Sequence, residues 1–295
     1  MEKHENAAFR YHYQPATVLK ITGEDAFPFL QGQFTQDLKP CQKDEFFAYG
    51  LWLNQKGKVL ADSFVGKRGL DWWCVSLFSP AWVIRERLET YIIADDVMIE
   101  DVTAQWAGVA FSGEGCGDIF PMENRFSFPG RRTAGPNYEC LYPVGGDVPR
   151  QAGPETDFVD MERMRIEAGI PAVPRDIGVE DLPNEGGLER DAISYSKGCY
   201  LGQEVMARLK TLGQVRRRLM VVEGKGAVPG LLPTAMFADG KKVGELRSAV
   251  RVDDRFVGLA MISLLAMTGR PLLSFSPEGV ANIVVKNESK DHRPV

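Results

Sequence analysis

Apolar and polar positions along the chain follow two periods, one of two residues and one between three and four. ATVLKITG (16–23) reads as a short strand ending at a glycine, and GEDAFPFLQGQFTQDL (23–38) as helical in its first half, with acidic residues in the first turn. FFAYGLWLNQKGKVLADSFV (46–65) is two apolar runs around Asn54-Gln55-Lys56-Gly57, a hairpin pattern, and LDWWCVSLF (70–78) is a further strand. SPAWVIRERLETYII (79–93) places Val83, Ile84, Leu88, Tyr91 and Ile92 at helical spacing, with Ser79 as its cap and Pro80 at the first helical position. VMIEDV and QWAGVAFS are strands, so the first half mixes α and β.

Between 113 and 156 the chain is rich in glycine and proline and poorly periodic, which predicts an edge between folding units. DFVDMERMRIEAG (157–169) is a helix with Phe158, Met161, Met164 and Ala168 on one side and Gly169 as its stop. From Asp176 to Asp191 follows a loop-like stretch with six carboxylates and one arginine. After YSKGCYLGQEVMARLKTLGQVRRRL (195–219), short apolar runs alternate with turns up to Val285, the pattern of a small β-barrel or sandwich. The last residues, KNESKDHRPV, predict a frayed end, and no repeat of 20 to 50 residues is present.

Composition narrows the chemistry. The length, 295 residues, fits about two domains with room for three small ones. Against 35 Lys+Arg stand 40 Asp+Glu, and the net charge of −5 disfavours direct nucleic-acid binding or membrane attachment driven by global charge. No stretch approaches a membrane span, and the polar N-terminus lacks the apolar run of a signal peptide, so the chain reads as cytoplasmic with reduced thiols. The only histidines, His4, His12 and His292, lie near the termini, which argues against imidazole-based nucleophile systems and histidine-rich metal sites. Five cysteines, Cys41, Cys74, Cys116, Cys140 and Cys199, form no CxxC pair, so no zinc ribbon or ferredoxin-type cluster site is written here.

Three segments hold candidate chemistry. If Ser196 caps a helix, Cys199 occupies its third position, where free N–H groups, the dipole and Lys197 favour a thiolate; the alternative is a small buried core residue. Gly198 and Gly202 permit either close ligand approach or tight packing. Gln203 and Glu204 can read the donor edge of a heterocycle, although Glu204 and Arg208 also form an i, i+4 pair. Arg208, Lys210, Arg216, Arg217 and Arg218, with no acidic residue among them, can hold an anionic tail or form a solvated face. Glu167 is the second carboxylate of interest, with a surface pair to Arg163 as its plain explanation.

Lys197-Gly198-Cys199-Tyr200-Leu201-Gly202-Gln203-Glu204 resembles the K-G-C-[FY]-x-G-Q-E motif of the YgfZ family, folate-binding relatives of the glycine-cleavage T-protein (aminomethyltransferase). Four further segments resemble that family in order: 30–38, LQGQFTQDL; 54–62, NQKGKVLAD; 165–171, RIEAGIP; and 182–185, LPNE. The resemblance spans roughly 16 to 265, with 113 to 156 unmatched.

It implies an α+β fold, a T-protein-like cloverleaf of three domains around a central folate site, the last a β-barrel. The expected division is 1–45 with 151–213 as a discontinuous folate-binding domain, 46–150 as a second, 214–286 as the barrel, and 287–295 as a tail. By the same resemblance Glu167 grips the pterin of tetrahydrofolate, since a carboxylate accepts two parallel hydrogen bonds from its N–H edge. Gln203, Glu204, Arg208 and Arg216 join it as folate-binding candidates, with Cys199, Lys197 and Asp62 as catalytic candidates. The aspartate pair of T-proteins reads Ala61-Asp62 here. The family is associated with assembly or repair of iron–sulfur clusters in client proteins and with downstream tRNA modification. The alternative is a folate-dependent aminomethyltransferase-like one-carbon transferase using Asp62.

Overall fold

The computed structural model describes residues 8–43, 46–112, 125–148, 153–213, 215–269 and 271–286. The stretch 113–124, with Cys116, and the tail 287–295 lie outside them. Three antiparallel sheets and four α-helices are formed by the described residues.

One sheet has the order β3-β4-β5-β2-β6, from β2 (Thr17–Thr22), β3 (Phe47–Leu53), β4 (Val59–Arg68), β5 (Asp71–Ser76) and β6 (Met98–Asp101). Its period-two pattern sorts side chains between two cores. Ala48, Trp52, Ala61 and Val65 face α1 (Ala26–Gln33) and α2 (Ala81–Glu89), where Phe29, Leu30, Ile84 and Leu88 complete the packing. Phe47, Phe64 and Val75 face the opposite way. They pack against a second sheet of order β1-β7-β9-β8, built from β1 (Phe9–Tyr13), β7 (Trp106–Ser112), β8 (Phe126–Pro129) and β9 (Asn137–Pro143).

Several expectations need correction here. The glycine- and proline-rich stretch contains β8 and β9, central to that packing, because Phe126, Phe128 and Leu141 supply apolar surface that the surrounding turns conceal. His12 is not in a loose terminus: it lies in β1, paired with Val109. The sheets cross the expected boundary at residue 45, since β2 pairs with β5. Glu24 and Asp25 lie ahead of α1, where Asp25 accepts a hydrogen bond from the Asp96 amide at 2.8 Å. Ser79 does not cap α2; Pro80 is the N-cap residue, and the Ser79 hydroxyl is engaged elsewhere.

The third sheet, of order β11-β12-β13-β10-β14, contains β10 (Arg217–Lys225), β11 (Thr234–Ala238), β12 (Lys241–Val252), β13 (Arg255–Ser263) and β14 (Ile283–Val285). Leu273 and Ser274 bridge its edges, pairing with Ile283 and Phe237, and so close it into a barrel. Val222, Met236, Leu246, Phe256 and Ile262 fill the interior, while Leu219, Val257, Leu259 and Met261 turn outward. That outer face packs on Leu51, Leu53 and Val59 of the β3–β4 hairpin, and on Ile166, Val173, Ile177 and Leu188 between them.

The helix α3 (Phe158–Glu167) is capped by Asp157, whose side chain accepts from the Asp160 amide. Its buried face carries Met161, Glu162, Arg165 and Ile166, so the expected apolar face is rotated: Phe158 is exposed and ion pairs occupy the core side. Arg165 is 1% exposed and donates to both Glu162 oxygens, at 2.8 and 2.9 Å, and to Asp176 at 2.8 Å. Asp176 also accepts from the Ala172 amide and from Ser248 of β12. Burial raises the Glu162 carboxyl, but the hydrogen bonds and charges of Arg165 and Arg175 outweigh it and hold the group below its ordinary value. Beside this pair Arg247 binds Asp181, while Arg217 binds Asp181 and Glu185. The acidic stretch is therefore neutralised largely by arginines of other elements.

Removing one partner of a buried ion pair leaves an uncompensated charge, which costs about 3–5 kcal/mol. Asp176→Ala is expected to lower the urea midpoint by that amount of stability at unchanged m-value. A midpoint within experimental error of the parent would show that Arg165 is satisfied without Asp176.

Candidate functional site

The segments that carry the family resemblance form one structural unit. Residues 191–202 run along the C-terminal end of α1: the Ser194 amide donates to the Thr35 carbonyl at 3.0 Å, and the Leu201 amide to the Gly32 carbonyl at 3.2 Å. Between these bonds Lys197, buried, donates to the carbonyls of Gln31, Phe34 and Gln36 at 2.7, 2.6 and 3.0 Å. An ammonium has three donors, and here all three are taken by main-chain acceptors at a helix end whose dipole favours a cation. Burial pulls the Lys197 ammonium down to about 8, against the opposing charge of Asp37. Lys197 is thus committed to holding two segments together.

At the other end of the motif, Gly202 lies against the β3–β4 turn. A Cβ on it would sit 3.0 Å from the Asn54 carbonyl oxygen, and one on Gly57 would sit 2.9 Å from the Val205 side chain. Both have positive φ, +86° and +70°, so glycine meets a steric and a conformational demand at once. The turn is fastened by Asn54, whose side chain accepts from the amides of Lys56 and Lys58.

Within this clamp the motif alternates in depth. Lys197 and Tyr200 are buried, and Gly198 and Cys199 between them are exposed. Among the described cysteines Cys199 alone is exposed; Cys41, Cys74 and Cys140 are enclosed, and burial pushes their thiols up to about 12, 12 and 11. The expected helix from Ser196 is not formed. α4 (Gln203–Leu212) starts later, behind Gly202, because the preceding residues spend their amides on α1 and on local turns. Cys199 consequently sits on a pinned turn and not in a first helical turn, and it is not a core residue either.

Asp62 lies on the face of β4 opposite Ala61, nearly buried in a hydroxyl-rich network. Oδ1 accepts from Ser79 at 2.8 Å and Ser76 at 3.0 Å, and Oδ2 from the Tyr49 hydroxyl at 2.9 Å. The Ser79 hydroxyl also lies 2.9 Å from the Val173 carbonyl, so its single proton is shared between two acceptors. Burial raises the Asp62 carboxyl above its ordinary value, while these hydroxyls and the Arg131 charge pull the other way. Such a carboxylate can take and return a proton without leaving its network. Sequence reasoning missed Tyr49, Ser76, Arg131 and Asp191 here and read Ser79 as a helix cap; the doubled arginine between two turns was the available signal.

Glu167 ends α3 exposed, and its side chain makes no hydrogen bond or ion pair with a described residue; Arg163 pairs instead with Asp160 at 3.0 Å. Gln203 is half-buried, its side-chain amide unengaged by any described residue, and Arg216 is exposed. Glu204 and Arg208 form the plain i, i+4 pair at 3.1 Å on an exposed face, an arrangement that contributes little. Lys210 rests 4.4 Å from the Tyr195 ring centroid. The basic run is thus largely occupied by its own neighbours.

No described helix is long and apolar enough to cross a membrane. The family model of the CAF17 C-terminal beta-barrel domain matches residues 216–288. A crystal structure of glycine cleavage system aminomethyltransferase T from Bartonella henselae shares the fold, at a TM-score of 0.70 and 16% identity over 89% of this chain and 80% of that one. The human mitochondrial iron–sulfur cluster assembly factor IBA57 is 30% identical over 273 residues, 83% of this chain and 75% of its own. The tRNA-modifying protein YgfZ of Serratia proteamaculans is 38% identical over 260 residues, 80% and 78% of the two chains. On this similarity along most of its length, the chain belongs to the family of the IBA57 and YgfZ proteins.

Proposed function

We propose that this protein is a folate-binding factor supporting assembly or repair of iron–sulfur clusters in client enzymes, with a downstream effect on tRNA modification. The observation that carries the reading is the clamp: two buried residues, Lys197 and Tyr200, hold an exposed thiol between them. The roles named for the IBA57 and YgfZ relatives supply the process. Thiolates are the ordinary protein ligands of such clusters, four to a cluster. One exposed cysteine, Cys199, supplies one ligand, and a client or another thiol supplies the rest.

In this reading Glu167 accepts the N–H edge of the pterin, with Gln203 beside it in role and Arg216 offered to the anionic tail. Tetrahydrofolate brings one-carbon chemistry when bound. Lys197 is a positioning residue whose hydrogen bonds fasten the thiol-bearing turn to α1. A second reading, a folate-dependent aminomethyltransferase-like transferase, has one observation in its favour: the hydroxyl network around Asp62 in a T-protein-like fold.

Loss of a charge-assisted pair of hydrogen bonds weakens binding by about ten- to a hundred-fold. Calorimetry with tetrahydrofolate is expected to show that loss in Glu167→Ala, and an unchanged Kd removes Glu167 from the folate site. In a strain lacking the protein, Cys199→Ala is expected not to restore cluster-dependent enzyme activity, whereas Asp62→Asn restores it. The reverse pattern favours the transferase.

Lys197→Met strips three buried carbonyls of their donor and is expected to cost about 3 kcal/mol at neutral pH. The folded chain sheds this proton near 8, the unfolded chain at the ordinary lysine value of about 10.5. Between those values the unfolded state binds more protons, so parent stability rises with pH. The gap between parent and Lys197→Met in urea is therefore expected to widen from pH 8 to pH 10; a constant gap would mean that Lys197 is not the titrating group.

A further inference from the structure

The loop before β9 carries two consecutive arginines with different partners. Arg132, 4% exposed, donates from Nε to Glu139 Oε1 at 2.8 Å and lies 4.1 Å from the Tyr13 ring centroid. Its amide donates to the Asn137 side chain at 3.1 Å. Gly130, on the far side of Arg131, donates from its amide to the Asn137 carbonyl at 2.7 Å. A Cβ at Gly130 would fall 2.3 Å from the Asn137 side-chain oxygen, so the loop backbone is pressed onto β9. Arg131 is thereby fixed at its root on both sides.

From that root Arg131 reaches the other sheet. Its guanidinium carbon lies 3.9 Å from the Tyr49 ring centroid, and Nε and Nη2 donate to Asp191 Oδ2 at 3.1 and 2.7 Å. Tyr49 in turn donates to Asp62. Asp191 is the second anchor, because its main-chain carbonyl accepts from Gln36 at 2.9 Å and so belongs to the clamp around the thiol-bearing turn.

We propose that Arg131 is a positioning residue of the Asp62 site: it clamps the Tyr49 ring in the orientation that donates to Asp62 and brings a positive charge to face that carboxylate. The groups around Asp62 are Tyr49 from β3, Ser76 from β5, Ser79 ahead of α2, the Val173 carbonyl after α3, and Arg131 with Asp191 beyond the tyrosine ring. The hydrogen bonds of Ser79, Tyr49 and Ser76 oppose the burial that favours a protonated Asp62, and the Arg131 charge adds to them. Arg132 and Glu139 act one step further out by holding the loop. The proposal rests on the second reading above, in which the Asp62 face is functional, but the coupling it describes is measured without folate or client.

The test is a titration of the Asp62 carboxyl carbon by NMR on aspartate-labelled protein, with the signal assigned by its loss in Asp62→Asn. Removing a cation near a carboxylate raises its midpoint, here by about one pH unit in Arg131→Met. Arg131→Gln, which keeps a donor for Asp191 but no charge, serves where Arg131→Met does not fold and is held to the same rise. Arg131→Lys keeps the charge and stays within half of it. A midpoint within about 0.3 pH unit of the parent in a folded neutral variant overturns the proposal, whatever the thermal stability of that variant. Failure of folate binding in calorimetry would instead count against the folate reading and leave this coupling standing.

Discussion

The stretch between α3 and α4 has no strand and only one short helical turn, yet all three sheets converge on it. Such a segment cannot fasten itself by ladder hydrogen bonds, and its carboxylates would repel one another in isolation. Arginines from outside solve both problems. Arg165 from α3, Arg247 and Arg217 from the barrel, and Arg131 from the β8–β9 loop each take at least one of its carboxylates. Apolar side chains of the same stretch, Val173, Ile177, Leu188 and Ile193, then fill the space between hairpin and barrel. The position of the thiol-bearing motif follows, because it begins where this stretch ends.

Ion pairs of this burial are weak evidence for stability, since desolvation offsets much of their attraction. Their value here is geometric. Arg165 has a fork that matches the two oxygens of Glu162 while its remaining nitrogen reaches Asp176, so a slip of the loop breaks several bonds together. A greasy contact of equal area would tolerate such a slip. The same logic applies at Asp62, where three hydroxyls from different parts of the chain meet one carboxylate and fix the orientation of each.

Much of the local structure was legible in sequence, and the reasons are local. The β3–β4 hairpin announces itself through turn residues that work alone, Asn54 by its side chain and Gly57 by its positive φ. The barrel strands were visible as alternating runs. What was hidden depends on partners far away in the chain. Ser196 has the chemistry of a helix cap, but the main chain that follows bonds to α1, and no local signal records that competition. Phe158 fits an apolar helical stripe, but Glu162 and Arg165 take the buried side because their partners are buried with them. The two arginines of the β8–β9 loop sit among glycines and prolines that hide the strands around them. The motif residues themselves were recognisable in order, although not the fact that they touch.

That Cys199 sits on a pinned turn changes the chemistry expected of it. At a helix N-terminus a thiol gains acidity from the dipole, but it is turned toward backbone amides and its approach is restricted. On a turn anchored by Lys197 on one side and Tyr200 on the other, the sulfur is offered outward with little freedom left to lose. A partner that binds there meets a surface already ordered, which removes part of the entropic cost of association. Lys197 achieves this without facing the thiol, since its three protons are spent on α1 carbonyls. The charge nearest to Cys199 in sequence therefore serves the position of the turn that carries it.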